Sequence, residues 1–218
     1  MNLVLLGPPG AGKGTQAKVL SKELKIRHIS TGDILRDAVR NKTALGKETQ
    51  EYMTKGELVP DRLVIAIVKE TLQGNKADSG FILDGFPRTL EQATMLDETL
   101  EGIGKKLDVV IFLKTSLETS IARLNGRRVC KGCDTIYHIK NIPPKKEGVC
   151  DQCGNSLYQR KDDQVDTIKR RWSVYNKDTT PLIKYYTEKN ILKEVSGDLD
   201  VDRLNTILMA LFQKESLI

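Results

Sequence analysis

The feature that most constrains the fold is a glycine-rich stretch near the N-terminus, which reads Gly7-Pro8-Pro9-Gly10-Ala11-Gly12-Lys13-Gly14-Thr15. An apolar run precedes it and a helical pattern follows, so it is predicted to connect a strand to a helix. Glycines let several backbone N–H groups approach one anion, and the helix N-terminus adds its own N–H groups and positive dipole. Lys13 supplies a full charge, and Thr15 supplies a hydroxyl for Mg²⁺ or a phosphate oxygen. The stretch therefore predicts a phosphate-binding loop.

The loop departs from the usual phosphate-loop pattern at one position. That pattern places Ser or Thr directly after the lysine, whereas Gly14 separates Lys13 from Thr15 here. The alternative interpretation is a glycine turn that binds nothing. Such a turn needs one or two glycines, so four glycines and a lysine at this spacing favour a phosphate site.

Length and composition bound the class of protein. A chain of 218 residues, 39% hydrophobic and 29% charged, is typical of a soluble globular protein with one large domain, or one core with insertions. It contains no run of 18 apolar residues, which predicts no membrane span. The N-terminus has the pattern of a core strand and not of a signal peptide. We therefore expect a cytoplasmic protein.

The net charge of +6 suits a polyanionic partner, either a nucleic acid or a nucleotide with several phosphates. The basic residues are dispersed and do not form one block. Four Phe and one Trp leave few aromatic side chains to stack single-stranded bases. A small phosphate ligand is the better interpretation, and we expect no nucleic-acid partner.

The order of apolar runs predicts an α/β fold. About five strands, at residues 3–6, 27–29, 81–84, 107–113 and 191–195, alternate with helices, which indicates a three-layer structure around a parallel sheet. Two segments interrupt this alternation and are predicted to be insertions: the first insertion, residues 30–59, and the second insertion, residues 127–163. The core then consists of residues 1–29, 60–126 and 164–218. Residues 30–33 predict a helix start, residues 43–55 predict a short helix that ends at Gly56, and Asp61 and Thr89 are predicted to cap later helices.

Two helices are expected to carry arginines in rows. A helix from about residue 116 to 126, if it continued, would place Arg123 and Arg127 one turn apart on one face. A longer helix, entered from residue 159 and running to about 175, would align four residues on one stripe, namely Arg160, Asp163, Thr167 and Arg171. Each row is either a solvated face or a wall that binds an anion. In the second case Asp163 would hold an arginine in place.

A second part of the phosphate site is predicted at Asp84, which ends the apolar run at residues 81–83. In a phosphate-loop protein, an Asp at the end of a neighbouring strand organises Mg²⁺ and its waters. The alternative is an ordinary turn-forming Asp before Gly85. Arg88 follows at the carboxyl edge of the sheet, where open α/β folds bind ligands.

Four cysteines predict a metal site. Cys130, Cys133, Cys150 and Cys153 have the spacing C-x₂-C-x₁₆-C-x₂-C, which is typical of a tetrahedral Cys₄ zinc site. Because protein ligands fill all four positions, the zinc is predicted to be structural. Free thiols or two disulfides are the alternatives, and Fe²⁺ or Co²⁺ would also suit four thiolates.

Further arginines predict a second phosphorylated substrate. Five separate segments carry six of them, namely Arg36, Arg88, Arg123, Arg127, Arg160 and Arg171. One triphosphate with Mg²⁺ does not need so many cations. No general base stands out, and a phosphate acceptor does not need one, so the chemistry would reduce to alignment, charge neutralisation and exclusion of water.

Taken together, these motifs resemble those of the adenylate kinases, and most of all those of their long-lid bacterial form with a zinc-binding lid. The resemblance covers essentially the whole chain in the expected order. It rests on the phosphate loop through Gln16, Ser30-Thr31-Gly32-Asp33, Asp84-Gly85-Phe86-Pro87-Arg88-Thr89, Gly126-Arg127-Arg128 and Arg160-Lys161-Asp162-Asp163. It also accounts for Gly14, because Gly-Lys-Gly-Thr is that family's form of the loop.

The resemblance implies the reversible reaction ATP + AMP ⇌ 2 ADP with Mg²⁺, in a phosphate-loop nucleoside monophosphate kinase that acts as a monomer. The first insertion matches the family's AMP-binding segment, and the second insertion matches its mobile lid. The residues that match the ATP site are Gly10, Ala11, Gly12, Lys13, Gly14, Thr15, Arg127, Ile136, Tyr137 and, more distantly, Leu199.

The resemblance also implies the acceptor site and the residues that act on the transferring phosphoryl group. The AMP site comprises Thr31, Arg36, Glu57, Leu58, Val59, Gly85, Phe86, Pro87, Arg88, Gln92, Arg160 and Arg171. The residues expected to contact the transferring group are Lys13, Arg88, Arg123, Arg160 and Arg171.

Two alternatives remain open at this stage. One is a kinase for UMP or CMP, or one that uses GTP as donor, because such enzymes share the phosphate-binding motifs and differ in base contacts. Thr31 and Gln92, which suit an adenine edge, favour AMP. The other is a zinc-ribbon nucleic-acid-binding protein, supported by the Cys₄ pattern, the net charge and the lysines near it. That alternative does not explain the phosphate loop or the dispersed arginines.

Overall fold

A computed structural model describes residues 1–73 and 80–218. Its main sheet has five strands, all parallel, in the order β2-β3-β1-β4-β8. The strands are β1 (Asn2–Leu6), β2 (Arg27–Ser30), β3 (Phe81–Asp84), β4 (Val109–Lys114) and β8 (Leu192–Ser196). The predicted parallel α/β sheet is therefore present. The central strands are apolar on both faces because helices cover both faces.

The helices pack on the two faces of the sheet and complete three layers. Alternate β1 residues point to opposite sides, so Leu3 and Leu5 join one apolar cluster while Val4 and Leu6 join the other. The first cluster includes residues of α1 (Lys13–Leu24) and α9 (Val201–Lys214). The second cluster includes residues of α4 (Asp61–Gln73), α5 (Leu90–Gly102) and α8 (Pro181–Glu188).

The first insertion forms two short helices, α2 (Thr31–Arg40) and α3 (Ala44–Lys55). Side-chain caps define where they begin: Ser30 Oγ accepts the Asp33 N–H at 3.2 Å, and Thr43 Oγ1 accepts the Gly46 N–H at 3.1 Å. Gly56 ends α3 in the left-handed region, with φ 73°, where glycine is favoured. Both the expected helix start near residue 30 and the expected stop at Gly56 are confirmed.

The second insertion folds around a small antiparallel sheet. Its strands are β5 (Arg127–Cys130), β6 (Ile136–His138) and β7 (Leu157–Tyr158), in the order β6-β5-β7. The segment returns to the core through a short 3-10 helix, Lys161–Asp163.

Both expected arginine-bearing helices are wrong in detail. The helix α6 (Leu117–Asn125) ends before Gly126, so Arg127 begins β5 and shares no helix face with Arg123. The expected long helix is divided: the 3-10 helix stops at extended Gln164, and α7 (Val165–Val174) follows. The division has a physical reason, because the backbone is extended at Gln164 where a helix would continue, and the Asp163 carboxylate binds Arg127 of β5 through both oxygens. Within residues 1–73 and 80–218, no helix is both long and apolar enough to span a bilayer.

Candidate functional site

The phosphate loop lies between β1 and α1 at the carboxyl edge of the main sheet, as the sequence predicts. Gly10 and Gly12 adopt left-handed backbone angles, with φ 84° and 90°. A Cβ on Gly10 would lie 2.9 Å from the Ser120 backbone of α6, so only glycine lets the loop approach that helix. No side chain caps the N-terminus of α1 and its first turn has no acidic residue, which leaves the helix end open to an anion.

Lys13 is folded over its own loop. Its Nζ donates to the Gly7 carbonyl at 2.7 Å and to the Pro8 carbonyl at 2.9 Å. Burial lowers the pKa of Lys13 to about 8, and nearby Arg88 adds to that effect while Asp84 opposes it. A phosphate group would supply the anionic partner that this buried ammonium lacks.

Asp84 lies against the phosphate loop, which explains the unusual glycine after the lysine. A Cβ on Gly14 would lie 3.0 Å from Asp84 Oδ2, so a side chain at position 14 would crowd the carboxylate. The same oxygen lies 3.6 Å from Nε2 of His28, a nitrogen that is buried and without a hydrogen-bond partner. Sequence reasoning missed His28, because a lone histidine in a strand carries no signal of its own.

One cleft joins the phosphate loop to the first insertion, and we call it the central cleft. Its lining includes Lys13 and most of the residues that the resemblance assigns to AMP, namely Thr31, Arg36, Glu57, Leu58, Val59, Gly85, Pro87, Arg88, Gln92 and Arg171. Phe86 and Arg160 are not in this lining. The Phe86 side chain is 1% exposed and belongs to the apolar core.

Two polar side chains converge on one carbonyl at the floor of the central cleft. Thr31 Oγ1 donates to the Gly85 carbonyl at 2.9 Å, and Arg88 Nε donates to the same oxygen at 2.8 Å. Burial, and after it the positive charge of Arg171, lower the pKa of Arg88 to about 10. Arg88 therefore keeps its other guanidinium N–H groups for an anion in the cleft.

Gln92 is oriented by a residue that sequence reasoning interpreted only as a helix cap. Its Nε2 donates to Asp61 Oδ1 at 2.6 Å, and its Oε1 accepts the Arg88 N–H at 2.7 Å. Thr89 caps α5 as predicted and also donates to Asp61 Oδ2 at 2.7 Å. The Gln92 amide is thus held on the cleft wall, with one N–H and one lone pair still available.

Arginines from the second insertion and α7 form a cluster around two aspartates. Arg127 binds the fully buried Asp163 through two bonds of 2.8 and 2.6 Å. Arg171 Nη1 lies 2.9 Å from Asp162 and 3.7 Å from Asp163. Burial lowers the pKa of Arg160 to about 10, with Arg36 and Arg127 adding to it. Asp163 therefore holds an arginine as predicted, by a tertiary contact and not along a helix stripe.

Arg123 and the remaining residues assigned to ATP, namely Ile136, Tyr137 and Leu199, lie outside the lining of the central cleft. Arg123 donates to the carbonyls of Gly197 at 2.6 Å and Leu199 at 2.9 Å, which ties α6 to the loop after β8. Ile136 and Tyr137 lie on β6, where Ile136 is half-buried and Tyr137 is 5% exposed.

The four cysteines form one compact cluster in the second insertion. All four Sγ atoms lie within 4.8 Å of one another. Cys130 and Cys153 are 3.3 Å apart, Cys133 and Cys150 are 3.6 Å apart, and none forms a disulfide. These separations are close to the edge of a tetrahedron with metal–sulfur bonds of about 2.3 Å. The donor set fits a structural metal site and excludes the disulfide alternative.

Comparisons with known proteins identify the family of this chain. A family model described as adenylate kinase matches residues 5–191. Three relatives, all named adenylate kinase, are similar over nearly their full length. The protein of Desulforamulus reducens is 54% identical over 96% of this chain and 99% of its own. The protein of Archaeoglobus fulgidus is 51% identical over 98% and 99%, and that of Caldicellulosiruptor bescii is 52% identical over 97% and 99%. This chain belongs to the adenylate kinase family.

Proposed function

We propose that this chain transfers the terminal phosphoryl group of Mg-ATP reversibly to AMP and so forms two ADP. The observation that carries the proposal is the central cleft, which is lined by both Lys13 of the phosphate loop and Arg88, which follows β3. A phosphate loop alone would suit many nucleotide-binding proteins. A second set of anion-binding groups facing it suits a phosphorylated acceptor.

The donor site in this proposal consists of the phosphate loop and the arginines near it. Residues 10–15 would hold the β- and γ-phosphates, with Lys13 leaving its two carbonyl partners for the incoming anion. Arg127, Ile136, Tyr137 and Leu199 are assigned to ATP from the family resemblance. Arg123 supports this site through its hydrogen bond to the Leu199 carbonyl.

The acceptor site is the part of the central cleft between the first insertion and α5. Thr31, Arg36, Arg88 and Gln92 would bind AMP there, together with the backbone of residues 57–59. Arg88, Arg160 and Arg171 would stabilise charge on the transferring group. They are suited to this because burial lowers the pKa of each, which reflects a site that favours an added anion.

Two metals belong to the proposal. Mg²⁺ bound with ATP would neutralise phosphate charge, and Asp84 beside Gly14 is the residue placed to orient its waters. Zn²⁺ would be held by Cys130, Cys133, Cys150 and Cys153 as a structural ion. The four-thiolate donor set and its compact geometry support zinc over a hard cation.

We also propose that the two insertions, residues 30–59 and 127–163, move against the core, residues 1–29, 60–126 and 164–218. Closure of both would exclude water, which otherwise competes with AMP for the phosphoryl group. A cytoplasmic monomer that acts on free nucleotides completes the proposal. Size-exclusion chromatography with light scattering measures the oligomeric state directly.

Steady-state rates test the substrate assignment. The acceptors AMP, CMP, UMP and GMP are compared at fixed Mg-ATP, and ATP and GTP are compared as donors with AMP. We expect AMP and ATP to give the highest kcat/KM. A preference for CMP or UMP, or for GTP, would move the chain to another nucleotide specificity within the same chemistry.

Variants test the roles of the two central cations. We expect Lys13→Ala and Arg88→Ala each to lower kcat about 10²- to 10³-fold, because each removes a charge aimed at the transferring group. Arg62→Ala is the control, since Arg62 pairs with Glu48 on the surface, with its side chain 75% exposed. A near-normal rate for either cleft variant, with circular dichroism unchanged, would contradict the assigned roles.

A further inference from the structure

Tyr137 lies at the contact between the small sheet and the cysteine cluster. It occupies the middle of β6, opposite Arg128 of β5, and its side chain is 5% exposed. It packs with Cys130, Cys150 and Leu157 in the small apolar core of the second insertion. The family resemblance assigns this residue to ATP, yet its hydroxyl faces the sulfur atoms.

Tyr137 donates the hydrogen bond when Cys150 is bound to a metal, because a thiolate ligand carries no proton and can only accept. The Asp151 backbone N–H donates to Tyr137 Oη at 2.8 Å. An amide can only donate, so the phenol oxygen is the acceptor there and its own proton is free to point elsewhere. Cys150 Sγ lies 3.4 Å from that oxygen, within the distance of an O–H···S bond.

This contact differs from those of the other sulfur atoms. Cys133 Sγ contacts Thr135 Oγ1 at 3.1 Å, and Cys153 Sγ contacts the Asn155 amide at 3.4 Å. Both of those partners lie two residues from their cysteine, whereas Tyr137 lies 13 residues before Cys150 and on another strand. Among these side-chain contacts, the Tyr137 bond is the one that ties a cysteine knuckle to the sheet.

We propose that Tyr137 is an outer-shell hydrogen-bond donor to metal-bound Cys150 and that it slows release of the metal. The hydroxyl holds the sulfur in its ligating position and stabilises its negative charge, and such outer-shell groups change metal affinity about 10- to 100-fold. The role goes beyond the proposed phosphoryl transfer and does not depend on it. In this role the Tyr137 hydroxyl binds at the metal site, and the aromatic ring can still make other contacts.

Metal release from the zinc-loaded protein tests the proposal. Tyr137→Phe removes one oxygen, and Tyr158→Phe is the matched control on β7 of the same sheet. With a chromophoric chelator in excess, we expect Tyr137→Phe to release zinc about 10- to 100-fold faster than the unmodified protein. The control removes the same group from the same small sheet but leaves the bond between Tyr137 and Cys150 intact. Its release rate is therefore expected to stay within about twofold of that of the unmodified protein. Equal release rates for the two variants would overturn the proposal.

A spectroscopic measurement on the cobalt-substituted protein separates a hydrogen bond to sulfur from general loosening of the fold. Loss of an O–H···S bond makes the thiolate a stronger electron donor, so the sulfur-to-cobalt charge-transfer band of Tyr137→Phe should move to lower energy. Site-specific 3-fluorotyrosine at position 137 keeps the ring and the hydroxyl, replaces one ring hydrogen with fluorine, and makes the hydroxyl a stronger donor. It should move the band the opposite way, and it decides the question even if Tyr137→Phe does not fold.

The competing role for the hydroxyl is contact with ATP alone. In that case Tyr137→Phe would raise the KM for ATP while the zinc release rate and the cobalt band stayed unchanged, which would overturn the proposal. A shifted band with faster release supports the outer-shell role whatever the value of KM.

Discussion

At the residue scale, Lys13 shows how burial prepares a group for its ligand. Two loop carbonyls accept hydrogen bonds from its Nζ, and burial lowers its pKa to about 8 from an ordinary 10.5. The free protein therefore holds a lysine that loses its charge near pH 8. A bound phosphate favours the charged form and raises the pKa again.

This shift predicts how nucleotide binding depends on pH. Below pH 8 Lys13 is already charged, so the affinity for ATP should not change with its titration. Above pH 8 binding must add a proton to Lys13, so affinity should fall by up to about tenfold per pH unit until the bound-state pKa is reached. Calorimetry in two buffers of different ionisation enthalpy measures that proton uptake.

Lys13→Arg is the control for the pH experiment, because an arginine stays charged throughout this range. It should lose the proton uptake above pH 8 while still binding nucleotide. Proton uptake that is the same in both proteins would assign the titration to another group.

Asp163 is a second residue whose environment predicts a measurable effect. It is fully buried and binds Arg127 through both oxygens. We expect Asp163→Asn to lower the free energy of unfolding by about 2 kcal/mol, measured by urea unfolding without nucleotide. The value lies below the ~3–5 kcal/mol typical of fully buried pairs, because the Arg127 side chain is 18% exposed.

The control for Asp163 is Asp37→Asn, which breaks an aspartate–arginine pair on the surface. Asp37 and its partner Arg40 are each about half exposed, and such pairs contribute about 0–1 kcal/mol. If the two variants destabilised the protein equally, burial would not be the cause.

Residues with a local signature were predictable from the sequence, and residues defined by distant partners were not. The cysteines and the loop glycines reveal themselves by spacing. Asp61 and His28 act on groups 28 to 56 positions away, at Thr89 and Asp84. No local pattern encodes such a contact, so Asp61 was interpreted as a cap and His28 was missed.

At the element scale, helices with capping residues began and ended where the sequence predicts. Thr43 and Gly56 bound α3, and Thr89 precedes α5. Residues 159–175 did not form the expected single helix. There the local pattern is helical, but the ion pair between Arg127 and Asp163 requires a different backbone, and the tertiary contact prevails.

Asp61 links the helices α4 and α5 and orients a residue of the proposed acceptor site. Its carboxylate joins the start of α4 to Thr89 and Gln92 at the start of α5. We expect Asp61→Ala to raise the KM for AMP several-fold, because Gln92 loses the bond that orients it, while the KM for ATP and kcat change less. Steady-state kinetics with each nucleotide varied in turn measure this difference.

The control for Asp61 is Asp97→Ala, on the same helix α5 as Gln92. Asp97 accepts hydrogen bonds from Tyr185, at 2.6 Å, and from Lys189, so its loss removes a similar pair of contacts away from the central cleft. It should lower stability by about 1–3 kcal/mol without changing the KM for AMP. An equal rise in the KM for AMP in both variants would attribute the Asp61 effect to general destabilisation.

At the scale of the whole molecule, the parallel sheet determines where the site lies. The phosphate loop follows β1, and Asp84 ends the neighbouring strand β3, so the two meet at the carboxyl edge of the sheet. Their meeting could be predicted from the sequence, because ligands bind at this edge in open α/β folds. The contacts between the two insertions could not be predicted from the sequence. Arg40 of the first insertion donates to both oxygens of Asp134 in the second, at 3.2 Å each, and Arg160 lies 3.9 Å from Asp33.

The second insertion depends on its metal more than the rest of the molecule does. Its apolar cluster contains three buried residues, Cys130, Tyr137 and Cys150, and two of them are candidate ligands. So small a core cannot hold a segment of this length without a metal or another cross-link. The main sheet has extensive cores on both faces and does not share this dependence.

Removal of the metal should therefore lower thermal stability more than it lowers the chemical step. We expect chelation to reduce Tm by at least about 5 °C, since about 1 kcal/mol shifts Tm by ~2–4 °C in a protein of this size. Activity at low temperature should persist in part, because Lys13, Arg88 and Arg171 lie outside the second insertion. A variant with all four cysteines replaced by serine should not respond to the chelator. Complete loss of activity with Tm unchanged would instead indicate a metal that takes part in the reaction.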